Sequence, residues 1–163
     1  KEKKFCFFHR RIRCSLQKAT VLGEYLLHAK YRFISIVNKE DSVYQSLMVL
    51  ADEVVKTTCA KLPAEVRVKA KDLIILLEPW PSEELVEDGI EPDLLGLFSG
   101  DAYPDGQSDA PLPPQVHLFL ENLWDYCQGD ETRYREEIRV TYLHELGHYL
   151  GLDEDELFQR DLA

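Results

Sequence analysis

The segment HELGH, residues 144–148, places two histidines four positions apart in a stretch with helical periodicity. Residues at this spacing lie on one face of a helix about one turn apart, so the imidazoles of His144 and His148 can point at one ion. Glu145 emerges about 100° from His144 around the helix, where it can reach a water beside the ion without being a ligand. The spacing therefore predicts a metal site with Glu145 as general base.

The helix that carries this segment is predicted to run from Glu131 to Leu150. Asp130 is a suitable N-cap, and the acidic residues in the next turns suit the positive end of a helix. Gly151 is placed to end the helix. Apolar residues recur along one face of it, at Ile138, Tyr142, Leu146, Tyr149 and Leu150.

The metal that suits this site is Zn²⁺, because zinc accepts histidine nitrogen and carboxylate oxygen in tetrahedral geometry and keeps one position for water in catalytic sites. Three protein ligands are then needed. Gly151 can adopt a left-handed conformation that turns the chain back toward the ion. Acidic residues occupy positions 153–156 just beyond it, and one of these four is expected to be the third ligand.

The rest of the pattern predicts an α/β domain in which a small mixed sheet packs against an N-terminal helix and the active-site helix. Apolar positions at helical spacing follow Ser42, and short apolar runs bounded by Pro, Gly and Asp indicate strands. The predicted elements are a helix over Ser42–Leu62, strands over Leu73–Leu77, Leu94–Phe98 and Val116–Glu121, and a short helix through Trp124 and Tyr126 that stops at Gly129.

Charge divides the chain into two parts. Net charge is −11, with 10 Lys+Arg against 3 Asp+Glu in residues 1–40 (+7) and 9 against 27 in residues 41–163 (−18). We interpret residues 1–40 as a basic, flexible N-terminal extension, within which only Ala19–Ile36 could form a short helix or strand pair, and residues 41–163 as the domain. An acidic body repels phosphate, so no nucleic-acid partner is expected.

Neither a membrane span nor an export signal is predicted. A spanning helix needs about 18 apolar residues, whereas the longest apolar runs last about five. The apolar stretch Phe5–Phe8 is interrupted by His9 before it reaches signal-peptide length. The four cysteines are widely and unevenly spaced, which favours reduced thiols and a cytoplasmic location.

The segment HELGHYLGLDE reads as HExxHxxGxx followed by an acidic residue, and resembles the extended zincin signature with a carboxylate in place of the metzincins' third histidine. Over residues 43–158, through LLGLFSGD, LPPQVHLFL and HELGHYLGLDEDEL, the chain resembles the small bacterial zincin-like metallopeptidases. The resemblance implies a compact zincin-like fold, peptidase activity and a peptide or protein substrate. That family usually carries aspartate ten positions after the first histidine. Glu154 stands there, so the resemblance implies Glu154 as third ligand, with Asp153 its rival.

Several other residues could bind metal or stabilise an oxyanion, but simpler structural roles are favoured for them. His117 alternates with apolar residues on a strand, which is more typical of a partly buried strand residue than of a ligand. Cys6, His9 and Cys14 lack the paired spacing of structural zinc sites. Tyrosines at positions 103, 142 and 149 could stabilise an oxyanion, but packing roles are favoured for each.

The sequence thus predicts a zinc-dependent peptidase in which a metal-activated water attacks the peptide bond and Glu145 moves its proton to the leaving amine. By analogy with other zincins, the strand Val116–Glu121 is expected at the sheet edge, paired with an extended substrate. The alternative is a non-catalytic protein that uses the metal as a structural or regulatory staple and binds a partner through the arm or the long loop.

Overall fold

The computed structural model describes residues 33–34, 42–103 and 113–162. A short 3₁₀ helix, Ala70–Asp72, precedes the second strand. In chain order the other elements are β1 (Phe33–Ile34), α1 (Ser42–Lys61), α2 (Ala64–Lys69), β2 (Ile74–Glu78), α3 (Glu83–Glu87), β3 (Gly96–Ser99), β4 (Gln115–Phe119), α4 (Leu120–Tyr126), α5 (Glu131–Tyr149) and α6 (Glu154–Phe158).

The described strands form one mixed sheet in the order β1-β2-β4-β3. β2 runs parallel to both β1 and β4, whereas β3 is antiparallel to β4. Side chains alternate across a strand, so Val116 and Leu118 of β4 point to one face of the sheet and His117 and Phe119 to the other. The two faces therefore carry different clusters.

The main core lies between the sheet and the helices α1 and α5. Val116 and Leu118 pack there with Leu47 of α1 and Ile138 of α5, all at most 2% exposed. The Tyr44 hydroxyl of α1 donates to the Leu77 carbonyl of β2 at 3.0 Å, which ties the helix to the sheet. The predicted arrangement, a small mixed sheet against an N-terminal helix and the helix that carries HELGH, is confirmed.

The opposite face of the sheet is covered by the segment that follows β2. Ile90 and Leu94 form a smaller cluster with Leu97 and Phe119. No helix is predicted from the sequence in this Pro- and Gly-rich segment, but it contains α3. The Ser82 side chain caps that helix by accepting the Leu85 N–H. The helix has only five residues, too few to show a helical period in the sequence.

Two predictions about the strand over Val116–Glu121 were wrong. The strand ends at Phe119, and Leu120 and Glu121 open α4 instead, with the Glu121 N–H bonded to the Pro79 carbonyl at 2.9 Å. The apolar run continues across the strand–helix junction, so it does not mark the boundary. The strand is also not an edge: β4 pairs on both sides, and β3 is the edge strand among the described residues.

The proposed boundary near residue 41 stays a prediction. Phe33–Ile34, inside the basic extension, pairs with β2, and the remainder of residues 1–41, including Cys6, His9 and Cys14, lies outside the described residues. Within the described residues, no helix combines the length and apolar character needed to cross a membrane.

A chain that starts at Asp41 is expected to unfold in one cooperative transition and to bind one zinc ion. The described core begins at Tyr44, and the truncation removes from the described sheet only the two residues of β1. Circular dichroism during heating, together with zinc analysis of the purified product, checks this. Loss of the cooperative transition would show that the extension is part of the domain.

Candidate metal centre

Helix α5 holds the HELGH segment in the protein interior. The helix starts where predicted, because the Asp130 side chain accepts the Arg133 N–H at 2.9 Å as an N-cap. Its last turns are buried between the sheet and the C-terminal segment, so His144, Glu145 and His148 are only 2%, 1% and 5% exposed. Polar groups this deeply buried need defined partners.

Each histidine is oriented by a backbone carbonyl. The Nδ1 of His144 donates to the Leu162 carbonyl at 2.7 Å, and the Nδ1 of His148 donates to the Leu152 carbonyl at 3.1 Å. In a neutral imidazole, the other nitrogen then carries a lone pair. Burial lowers the pKa of His144, and the neighbouring His148 lowers it further, which favours this neutral form.

The two lone pairs face each other. The Nε2 atoms of His144 and His148 are 2.9 Å apart, and neither has a proton to donate once both Nδ1 atoms are protonated. Two acceptors at this distance repel unless a cation lies near both of them. Imidazole nitrogens freed and oriented by carbonyl partners are typical metal ligands, so this pair fits a metal ion.

Glu154 completes the group. Its Oε1 lies 3.2 Å from Nε2 of His148 and 3.8 Å from Nε2 of His144, and ligand atoms of the three residues all lie within 4.8 Å of one another. Its side chain is half exposed, which leaves one side of the group open to solvent. The structure thus brings together the three residues named from the sequence, and this donor set could hold a metal ion.

The segment that delivers Glu154 is short and well fixed. Gly151 ends α5 with φ of 90°, the left-handed conformation that glycine adopts without strain. Asp153 then caps α6: its side chain accepts the Glu156 N–H at 2.9 Å, and the Glu156 side chain accepts the Asp153 N–H at 3.1 Å. Asp153 is therefore engaged as a cap, while Glu154, the first residue of the helix, points to the histidines.

A glycine within the helix makes room for α6. A Cβ at Gly147 would overlap the side chain of Leu157, a fully buried residue of α6, so the absence of a side chain lets the two helices pack closely. Helix α6 is not among the elements predicted from the sequence. The pattern D-x-x-E ahead of Leu157, a capping box, was the evidence that could have predicted it.

Glu145 lies beside this group, under the edge strand β3. The backbone N–H of Phe98 donates to its carboxylate, and Oε2 has no hydrogen-bond partner among the described residues. A Cβ at Gly96 would stand 3.2 Å from Oε1 and closer still to Thr141, so this glycine provides the space that the carboxylate occupies. Burial raises the pKa of Glu145 to about 8, and the charge of Glu154 raises it as well.

Comparison with protein families agrees with this arrangement. The model of the zincin-like metallopeptidases matches residues 70–163, more than half of the chain and all the residues of the centre. The chain belongs to the zincin-like metallopeptidases. Among curated proteins, none matches it.

Other residues considered from the sequence lie outside the zincin-like centre. The Tyr142 hydroxyl is buried 3.0 Å from Cys59 Sγ, and the Tyr149 hydroxyl donates to the Lys69 carbonyl at 2.8 Å. Tyr103 packs edge to face on Tyr149. His117, predicted to be a partly buried strand residue, is 8% exposed, and its Nδ1 is hydrogen-bonded to Glu78.

The carbonyl of Leu162 makes the end of the described chain part of the metal centre. Deletion of residues 161–163 is expected to weaken zinc binding about 10- to 100-fold, the usual loss when the group that orients a ligating histidine is removed. Competition with a chelator of known affinity measures this. Deletion of Ala163 alone keeps the Leu162 oxygen and serves as control, and equal zinc affinity in both variants would contradict the role of this bond.

Proposed function

We propose that this chain is a zinc-dependent peptidase whose Zn²⁺ ion is held by His144, His148 and Glu154. The observation that supports this most strongly is the pair of buried Nε2 lone pairs 2.9 Å apart, with a carboxylate oxygen 3.2 Å from one of them. Two neutral imidazoles and one carboxylate are a donor set found in catalytic zinc sites.

When bound, zinc would polarise the scissile carbonyl and lower the pKa of a water to about 7. Glu145 is the general base of the proposal. Oε2, which has no hydrogen-bond partner in the described part of the chain, takes the proton of the attacking water, while the Phe98 N–H holds the carboxylate in place. The burial that raises the pKa of this residue helps it to hold the proton until the leaving amine accepts it.

The outer edge of β3, which pairs with no other described strand, supports an extended peptide as substrate. The Phe119 N–H bonds to the Leu95 carbonyl at 3.0 Å, and in an antiparallel pair such bonds recur every second residue. The backbone groups of Gly96 and Phe98, and the N–H of Gly100, therefore point away from β4. A peptide that pairs with this edge would pass beside Glu145, which takes the Phe98 amide. Because β3 is the edge strand, it replaces β4 in this role.

Glu154→Ala is expected to weaken zinc binding at least tenfold, because it removes one of three protein ligands. Asp155→Ala, the next residue of the same exposed turn, is the matched control and should bind zinc like the unmodified chain. Asp153→Ala removes the cap of α6 and should lower the free energy of unfolding by about 1 kcal/mol. Zinc titration of the three variants checks this, and a larger loss in Asp153→Ala would assign the ligand to Asp153.

We also propose that the protein resides in a reducing compartment, the cytoplasm. Cys59 and Cys127 are both free and buried. Burial raises the pKa of Cys127 to about 11, so its thiol stays protonated and unreactive near neutral pH.

Incubation of the purified chain with a peptide library, with and without a chelator, tests the function. Mass spectrometry should reveal cleaved peptides whose formation stops when the chelator is added and resumes when zinc is restored. An intact library in the presence of zinc-loaded protein would favour the alternative of a metal used only as a staple.

A further inference from the structure

Three polar side chains form a hydrogen-bonded chain on the sheet face that points away from α5. They come from three neighbouring strands: Glu78 from β2, His117 from β4 and Ser99 from β3. The Glu78 Oε2 lies 2.6 Å from Nδ1 of His117, and the Ser99 Oγ lies 3.2 Å from its Nε2. His117 and Phe119 share this face, and their rings stack. The sheet separates this cluster from the metal centre.

The chemistry of the three side chains determines which atom donates in each of the two hydrogen bonds. A carboxylate only accepts, so the Nδ1 of His117 donates to Glu78. In the neutral imidazole, the Nε2 of His117 then carries a lone pair and accepts the hydroxyl proton of Ser99. An acid that orients a histidine, and a histidine that accepts the proton of a serine, are the parts of a nucleophilic triad.

The simpler interpretation is a polar bridge that only joins three strands. The position of Ser99, however, favours a nucleophilic role. Ser99 is partly exposed at the end of the edge strand, so water could satisfy its hydroxyl without His117. Gly100, which follows it, is exposed, has φ of 112° and directs its amide away from β4. An amide directly after a nucleophile is a common donor to a developing oxyanion.

We propose that Ser99, His117 and Glu78 form a second reactive centre, in which Ser99 attacks activated acyl or phosphonyl groups. As the bond from Oγ to the carbonyl carbon forms, the hydroxyl proton passes to Nε2 of His117. His117 returns this proton to the alkoxide that leaves as the ester bond breaks. Water then attacks the acyl group by the reverse route and frees Ser99. Small esters are the substrate class, since the alkoxide that leaves needs only the one proton that His117 returns to it.

A fluorophosphonate is the direct probe of such a serine. Oγ bonds to phosphorus, the phosphorus–fluorine bond breaks and fluoride leaves, with the hydroxyl proton taken up by His117. Mass spectrometry of the digested, full-length chain should find the phosphonyl adduct on Ser99. Heat-denatured chain should remain unlabelled, because the bonds between the three strands are then lost. A native chain without the adduct would overturn the proposal, and so would equal labelling of native and denatured chain.

Variants distinguish a nucleophilic triad from a polar bridge that only joins the three strands. Ser99→Ala should remove the adduct, His117→Gln should slow labelling by at least about a hundredfold, and Glu78→Gln by at least about tenfold. Ser46→Ala, an exposed serine of α1, should label like the unmodified chain. Labelling that persists at full rate in His117→Gln would reduce the cluster to a bridge. A chelator should leave the labelling unchanged, because this centre uses no metal, so failure of the peptidase proposal and failure of this one are distinguishable.

Discussion

Glu145→Gln is expected to lower kcat/KM for peptide cleavage by about a thousandfold while the chain still binds one zinc ion. Glutamine has the same shape but cannot take up a proton, and general base catalysis typically contributes about 10²- to 10⁴-fold. Glu145 is not one of the three residues proposed to hold the ion, so zinc affinity should change little. Steady-state kinetics with a peptide from the library, together with zinc analysis of the same sample, measures both quantities.

Glu136→Gln is the matched control, because Glu136 belongs to the same helix but is exposed and paired with Arg139. It should cleave at the rate of the unmodified chain. Cleavage that survives in Glu145→Gln would assign the general base to another group, and simultaneous loss of zinc would show that Glu145 is itself a ligand.

His144→Ala and His148→Ala are each expected to lower zinc affinity by more than about a hundredfold. Removal of a group that merely orients a ligand costs about 10- to 100-fold, and removal of the ligand costs more. The histidine that remains would also lose the opposing Nε2 that makes the site attractive to a cation. Competition with a chelator followed by metal analysis gives the affinities.

His117→Gln controls for the loss of any histidine, since His117 lies on the opposite face of the sheet, bonded to Glu78 and Ser99. It should retain one zinc ion per chain. Full occupancy in either His144→Ala or His148→Ala would contradict the assignment of these three residues as the zinc ligands.

The metal centre could be predicted from the sequence to the extent that it depends on one helix. The spacing of His144, Glu145 and His148 and the cap Asp130 act within a few residues, so the helical period and local hydrogen bonds define them. Gly151 acts locally too, and its left-handed conformation agrees with its predicted role. The choice of Glu154 rested on family resemblance, because four adjacent acidic residues look alike without the helix that orients them.

What the sequence did not show depends on contacts between distant segments. Among the described strands, β4 lies inside the sheet and β3 at its edge. No local sequence pattern distinguishes this order from one in which β4 is the edge strand. Helix α6 has five residues, too few for a visible period. The chain of Glu78, His117 and Ser99 joins three strands, so each residue alone looked like an ordinary strand position.

Zinc titration of the metal-free chain tests the central claim most directly, namely that one zinc ion held by His144, His148 and Glu154 supports peptide hydrolysis. The rate of cleavage should rise in proportion to added zinc, reach its plateau at one equivalent per chain and stay near zero throughout in His148→Ala. A rate that is already full without zinc, or that remains near zero after one equivalent has bound, would contradict the account.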